Sequence, residues 1–541
     1  MKHIYALLLT LCLLAGLCGC GKENSQQAKA RAYMDEAAQI RSDISLELAQ
    51  GYTPEDPLVI VDPFGLSPLT ALLGFTTEED TAVSLTVLGR IPQADISQDF
   101  GIFRKIHLLP VLGLYGGEEN RVELRIRNSQ GEETRTTLKI RTEPLPSDLP
   151  SVEVRVAQAE KMAPGVTFFQ CPVLNAAYPM AIDCQGQVRW FFVDKSFGGG
   201  LLLAHLKNGN MTLGSGQMDR LNPFLMNDLY EITPLGEFVR EYRLHGVHHD
   251  VVEKDNGNLL FCTSPNLSPY MFDRIQEVDR STGKVLQTWD LRDILPMETY
   301  EMAEPYKSAF PGGETNWFHL NSLCYLPEEN AFLISGRHQD AVMKIHAETR
   351  EILWIFSGTI GKENPAMAPY LLTPITEPGE EFEYPRAQHA ALQTPEGDLM
   401  LFDNANFRET DETGVLLQDR LYSRAVRYEI DEENRTVRQT WQYGKQRGTQ
   451  LYSSYLSDVD YLADGHYLID FGGMIRLPDG TAVNAEHTTP EQRQDASQHT
   501  ALIEILDDEI IFEVWLLGRQ ITNSYKAERM ELYTGVTELL P

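Results

Sequence analysis

Long apolar runs are scarce in this chain of 541 residues. Beyond the first twenty residues none reaches the about 18 consecutive apolar residues that a membrane-spanning helix needs. Basic residues are outnumbered, 46 Lys and Arg against 78 Asp and Glu, for a formal net charge of -32. A surface so acidic repels polyanions, which argues against nucleic acid or an acidic membrane face as a partner. An anionic small molecule can bind only where positive charge is concentrated locally. Cysteine is sparse too. Of the seven, Cys12, Cys18 and Cys20 lie in the leader, and Cys171, Cys184, Cys262 and Cys324 show no C-x-x-C spacing. Cys171 and Cys184 are close enough in sequence to bridge in an oxidising compartment, but spacing alone does not establish the geometry. Low-complexity tracts are absent, and 42% hydrophobic with 23% charged residues is the balance of a folding globular chain.

What is present begins with "MKHIYALLLTLCLLAGLCGCGKENSQQ": a basic start, an apolar run from Ile4 to Leu17 and small residues after it. That pattern is a secretory signal over residues 1–19. Leu17-Cys18-Gly19-Cys20 resembles a bacterial lipobox, which implies cleavage before Cys20, a lipid on its thiol and an extracytoplasmic, membrane-anchored protein at the cell surface or periplasmic face. An unlipidated signal is the alternative. Residues 20–50 read as a polar tether and a short helix, rich in Ala, Leu, Glu and Arg. Residues 51–145 alternate apolar and polar, as in "RVELRIRNSQGEETRTTLKIRT", and predict a small β-sandwich. The linker "EPLPSDLPS" follows.

From residue 152 to 541 a unit recurs: an apolar strand, a polar turn, then a strand ending in an aromatic residue. It occurs six times, among them "YPMAIDCQGQVRWFF", "DAVMKIHAETREILWIFSG" and "TALIEILDDEIIFEVWLL". A second hairpin-like unit alternates with it, including "HHDVVEKDNGNLLFCTS", "HLNSLCYLPEENAFLISGR" and "QHAALQTPEGDLMLFDN". Together they predict a four-stranded sheet roughly every 45 to 90 residues, hence an all-β, six-bladed β-propeller. An open sandwich of this length would leave unpaired edges that a closed ring removes.

Aligned on its turn, the second unit puts His249, His319 and His389 at corresponding points, where the first strand of each blade approaches the axis. A single histidine at a strand start is usually a hydrogen-bonded structural group. Three in register, with a near-neutral pKa, point to a shared site. His205 precedes a similar turn but lacks their neighbours and reads as surface. The strand period of two sets Asn321 on the same side as His319, and Ser335, Arg337 and Gln339 on one face of the returning strand. Arg337 is then either near His319 or a rim salt bridge. Three imidazoles also suit zinc, copper or iron. An arginine beside them would repel a dication and suits a tetrahedral oxyanion, so anion binding is favoured and no metal is assigned.

"HHD" at 248–250, "NWFHLNSL" at 316–323, "ISGRHQDAVMKI" at 334–345, "QHAAL" with "LFDNANFR" at 388–408, and "SRAVRYEID", "WQYGKQRG" and "YLSDVDYL" further on resemble the bacterial arylsulfate sulfotransferases. Those enzymes are similar in layout, a β-sandwich before a six-bladed propeller, so the resemblance covers about residues 45 to 541. It implies transfer of a sulfuryl group from a phenolic sulfate donor to a phenolic acceptor through a sulfohistidine, with no nucleotide and no cofactor. It further implies that His389 is the nucleophile and that His249, His319, Asn321 and Arg337 contact sulfate. "ITNSYKAERMELY" is similar to a segment that would bring Tyr525 to the site. Members with a disulfide just before the nucleophile differ from this chain, which has no cysteine after Cys324. The loop over the site is then held differently and acceptor specificity stays open.

In such a reaction Arg337 neutralises the sulfuryl oxygens with Asn321 and His319 as donors, His389 attacks sulfur, and His249 serves as general acid and then base, giving ping-pong kinetics. Trp317, Phe318 and Tyr115 are candidates to stack on the phenol. The partners are thus phenols, with no nucleic acid, a membrane only through the lipid anchor, and room for a homodimer. The competing reading is a non-catalytic propeller lipoprotein that binds a ligand or a protein.

Overall fold

The computed structural model describes residues 25–539 except 174–175, 194–200, 215–217, 220–221, 266–267, 272, 297–314, 361–363, 407, 409–416, 418–419, 486–487 and 518–521. The leader and Cys20 lie outside the described residues. The chain opens with a helix over Ser25–Leu48, 24 residues without Gly or Pro. It is not short: Ser25 to Arg31, expected as tether, are all residues a helix tolerates, and the helix runs through them. Ala30, Ala37, Ile44 and Leu48 form its buried face. Tyr33 stacks on Phe238 at 5.1 Å, and Arg41 holds Glu237 with two hydrogen bonds of 2.6 and 2.5 Å.

The sandwich is organised by one long strand, Thr70–Val87. Its first part pairs with Leu58–Val61 and Arg104–Leu112, and its last part with Ile96–Asp99 and Glu119–Asn128. Between the two parts Glu78, Glu79 and Asp80 are exposed, so the strand bends there and passes from one layer to the other. Glu119–Asn128 alternates buried and exposed residues along nearly its whole length, as the sequence alternation predicts.

The remainder forms antiparallel sheets whose strands follow chain order outward from an axis. Ala527–Met530, from the chain's last segment, pairs with Val166–Val173 and completes the first sheet. Ser151–Ala157, from its first, pairs with Glu509–Leu517 and completes the last. The two ends thus lock the ring and leave no open seam. One sheet has eight strands because Phe238–Glu253 is continuous: its first part pairs with Asn222–Ile232 and its second with Leu259–Thr263. Around the axis the inner strands touch in succession: Leu201–His205, Phe238–Glu253, Leu320–Leu326, His389–Gln393, Asp458–Ala463 and Ala527–Met530. His205 Nδ1 lies 2.7 Å from Glu528 and closes the circle. His205 is therefore an inner-strand residue with a largely buried ring packed on Phe168, and not surface.

Sandwich and propeller share a core, in which Leu109, Leu112 and Leu114 belong to the same buried cluster as Phe168, Trp190 and Leu532. Arg189, fully buried, pins the junction. It donates to Gly113 O at 2.7 Å, Ala94 O at 2.6 Å and Tyr115 Oη at 3.1 Å, and lies 3.2 Å from Asp183. Removing this cation leaves the Asp183 carboxylate buried beside no opposite charge. Arg189→Met is expected to cost about 3–5 kcal/mol in urea unfolding; a loss below about 1 kcal/mol would mean that the junction is held by apolar packing alone.

Candidate active site

Three inner strands break register at the same level, between Val247 and Val251, Leu320 and Ser322, and His389 and Leu392. A bulge re-aims the side chains beside it. His249 and His319 adopt left-handed backbone, φ 52° and 55°, and in the third strand Ala387 and Ala390 do so on either side of His389, φ 51° and 55°. Each such non-glycine residue costs about 1–3 kcal/mol, strain that persists only where the surroundings impose it. The period of two therefore does not carry from His319 to Asn321. Nor does it reach Arg337, because the returning strand Ala331–Gly336 stops before it and Arg337–Gln339 is a 3-10 turn. That turn is clamped onto the start of the His319 strand by Arg337 N–H to His319 O, 3.1 Å, and His338 N–H to Phe318 O, 3.2 Å.

The clamp gathers the predicted residues. The His249 and His319 rings are 4.9 Å apart, and the Tyr525 ring is 5.6 Å from His249. Tyr525 Oη donates to Asn321 O at 2.9 Å, and Asn321 Nδ2 donates to Gln388 O at 2.7 Å, beside His389. Four side chains that sequence reasoning passed over belong here as well. His338 stacks 4.5 Å from His319; its Nδ1 donates to Asn316 O at 2.6 Å, so its Nε2 accepts from Arg337 at 2.9 Å and aligns the guanidinium. The Asn316 amide nitrogen donates to His319 Nδ1 at 2.7 Å, which leaves Nε2 of that ring as the donor. His248 Nδ1 is 2.8 Å from His249 Nδ1. Asn404 Oδ1 is 2.7 Å from His389 Nδ1. All four lie inside the motifs quoted above; His248, Asn316 and His338 are within three residues of a predicted residue, and Asn404 follows the strand that pairs with His389.

Burial, reinforced by the Arg337 charge, drives His249 and His338 down to about 3 and His389 well below the usual histidine range. His319 is also held far down by burial and by its neighbours, His338 foremost. All are neutral near pH 7, around one fixed cation. Below them the axis holds a cavity of about 290 Å³, lined among others by Asp250, Asp458, Asp460, Tyr525 and Lys526. Burial raises Asp458 to about 6 and Asp460 to about 8. Among the described residues no three His, Cys, Asp or Glu side chains are grouped to hold a metal ion, and no helix is long and apolar enough to cross a membrane.

Three aromatic candidates lie elsewhere. Tyr115 sits at the sandwich–propeller junction, its hydroxyl donating to Asp183 at 3.0 Å and its ring 4.1 Å from the Arg189 guanidinium. Trp317 is fully buried and donates to Asp273 at 3.1 Å, and Phe318 is fully buried against Gly336. All three are packing residues, because tight turns at "LGLYGG" and before His319 direct them into the core. Cys184 is a buried free thiol, pushed up to about 11 by burial, and the side chain of Cys171 lies outside the described residues.

A buried cluster that sets neutral imidazole nitrogens around a guanidinium has the chemistry of a group-transfer site, nucleophilic nitrogens beside a fixed positive charge. The chain belongs to the arylsulfotransferase family: residues 151–514 match Arylsulfotransferase (ASST), and residues 58–143 match the Arylsulfotransferase Ig-like domain. It is a sulfotransferase enzyme. It is 26% identical over 545 residues to arylsulfate sulfotransferase AssT of Escherichia coli O6:H1, covering 80% of this chain and 88% of that one. It is also 26% identical over 533 residues to AssT of Lelliottia amnigena, with the same shares covered. A solved structure of a putative 6-phosphogluconolactonase from Bacteroides fragilis is similar over 81% of this chain and 98% of its own, with 9% identity and a TM-score of 0.29, too weak to bear on fold or function.

The depressed histidines make stability depend on pH. Folded His249 stays neutral down to about 3, while in the unfolded chain it protonates near 6.5. Between those values the unfolded state binds more protons, and this contribution is lost as pH falls through the window. Asp458 and Asp460 act oppositely, since their raised values contribute stability that is lost as pH rises through about 6 and about 8. A difference isolates the imidazole: between about pH 6.5 and about pH 4, His249→Gln should lose less stability than wild type in urea unfolding. Equal slopes would mean that His249 is charged in the folded protein.

Proposed function

We propose that this protein is an arylsulfate sulfotransferase that moves a sulfuryl group from a phenolic sulfate ester to another phenol, through a sulfohistidine at His389 and by a ping-pong mechanism. The observation that carries the reading is the neutral His389 imidazole held under the influence of the Arg337 charge. A sulfate ester resists attack because its peripheral oxygens are negative, so it must be neutralised and aligned before a nucleophile can approach. Arg337, its direction set by His338, supplies the charge. The His319 Nε2–H and the remaining N–H of Asn321 supply hydrogen bonds to the sulfuryl oxygens. A neutral imidazole then attacks sulfur, and a phenolate leaves, because its conjugate acid has a pKa of about 10.

His249 serves as the acid that protonates the departing oxygen. Its ring is neutral, held so by burial and by Arg337. A bound sulfate ester offsets the Arg337 charge, and the growing negative charge on the phenolic oxygen favours a proton on the adjacent ring. In the second half-reaction the same ring takes the proton of the acceptor phenol. Tyr525 borders this space. The strand order supports six blades once the eight-stranded sheet is counted as two, and the lipobox supports anchoring through Cys20 outside the cytoplasm.

The test is to mix enzyme with an aryl sulfate, quench without acceptor and map any adduct by mass. A sulfuryl adduct on His389, lost in His389→Ala together with turnover, is expected. Arg337→Ala should lower kcat by about 10²–10³. Undiminished turnover in His389→Ala with no adduct in the wild type would overturn the reading.

A further inference from the structure

We infer that Asn404 is a positioning residue that fixes which nitrogen of His389 reacts: it holds the proton on Nδ1 through both half-reactions and directs the sulfuryl group to Nε2. The inference rests on His389 as nucleophile. Asn404 follows the strand Leu399–Asp403, in which Phe402 pairs with His389 across the hairpin. It is fully buried. Its Nδ2 donates to Ser453 O at 2.9 Å and to Leu456 O at 3.0 Å. Both partners are carbonyl oxygens, so the amide can face only one way, with Oδ1 toward His389.

That cradle is tied down in turn. Ser423 Oγ lies 3.0 Å from both Asn404 O and Ser453 O, which share its one proton, and accepts from Ser453 N–H at 2.9 Å. Leu456 and Ser457 hold left-handed backbone, φ 56° and 82°, where the loop turns a carbonyl onto the amide. His389 Nδ1 therefore faces two oxygens that carry no hydrogen, Asn404 Oδ1 at 2.7 Å and Ala387 O at 3.1 Å. In the neutral ring the proton must sit on Nδ1, and the lone pair on Nε2.

The chemical consequence concerns the leaving group. In the first half-reaction the Nε2 lone pair forms an N–S bond while the S–O(aryl) bond breaks; the electron pair leaves with the phenolic oxygen, which takes a proton from the His249 imidazolium, formed by uptake of a solvent proton when the anionic donor binds. The sulfonated ring, still bearing Nδ1–H, is an imidazolium. In the second, the acceptor's oxygen bonds to sulfur and gives its proton to His249, and the N–S electron pair returns to Nε2, releasing neutral imidazole. Were Nδ1 to lose its proton, the leaving group would be an imidazolate, far poorer. An amide oxygen suits this task because it accepts the hydrogen bond without competing for the proton, as a carboxylate would.

The test reads position as well as rate. Wild-type enzyme loaded with an aryl sulfate is quenched in alkali and digested, and the His389 peptide is compared with synthetic Nε2- and Nδ1-sulfohistidine standards. Only the Nε2 adduct is expected, a result that depends on no variant folding. In Asn404→Ala, sulfuryl uptake at saturating donor should slow by about 10–100-fold with little change in donor KM, and long-range ¹⁵N spectra should show the His389 proton shared between both nitrogens. An Nδ1 adduct in the wild type, or an Asn404→Ala enzyme with wild-type rate and tautomer, overturns the role of Asn404 and leaves His389 as nucleophile intact. Turnover with no adduct anywhere on His389 overturns both.

Discussion

One buried charge organises the centre of this molecule. The Arg337 guanidinium stands in a buried setting beside imidazoles, and each of those rings is kept neutral by lost hydration and by the arginine itself. His338 can accept from Arg337 without cancelling its charge. A guanidinium is thereby placed at the centre of a protein whose net charge is -32, a local concentration of positive charge in an acidic body.

That charge is aimed by backbone geometry that regular strands do not provide. Register breaks in three neighbouring inner strands turn His249, His319 and the approach to His389 toward a common point, and left-handed residues accompany each. The packing around them, from Phe318 under Gly336 to the Gln388 amide bonded to Ser335 and Ala341, supplies the rigidity that holds such conformations in place.

Much of this was legible in the sequence, for identifiable reasons. Alternation in "RVELRIRN" exposes a half-buried strand, and hairpin units repeated along the chain put the three histidines at equivalent points, since a propeller reuses one geometry. What was not legible lies where the period of two fails. A bulge has no signature in residue type, so Asn321 reaches Gln388 by a route that strand arithmetic does not describe. A 3-10 turn brings consecutive residues to one place, which is why His338 escaped notice beside Arg337. Asn404 acts through a loop some fifty residues further on, and no local pattern links them. Tyr115, expected to stack on a phenol, instead packs where sandwich and propeller meet, because the buried Arg189 cation takes it and Asp183 as partners.

The strand that closes the ring also carries part of its centre. Ala527–Met530 pairs with the first sheet, and Tyr525 and Lys526 immediately before it face the axis. Until that strand docks, the first sheet is incomplete and the cavity has no floor, so the centre is assembled in one step when the ring closes, rather than by degrees.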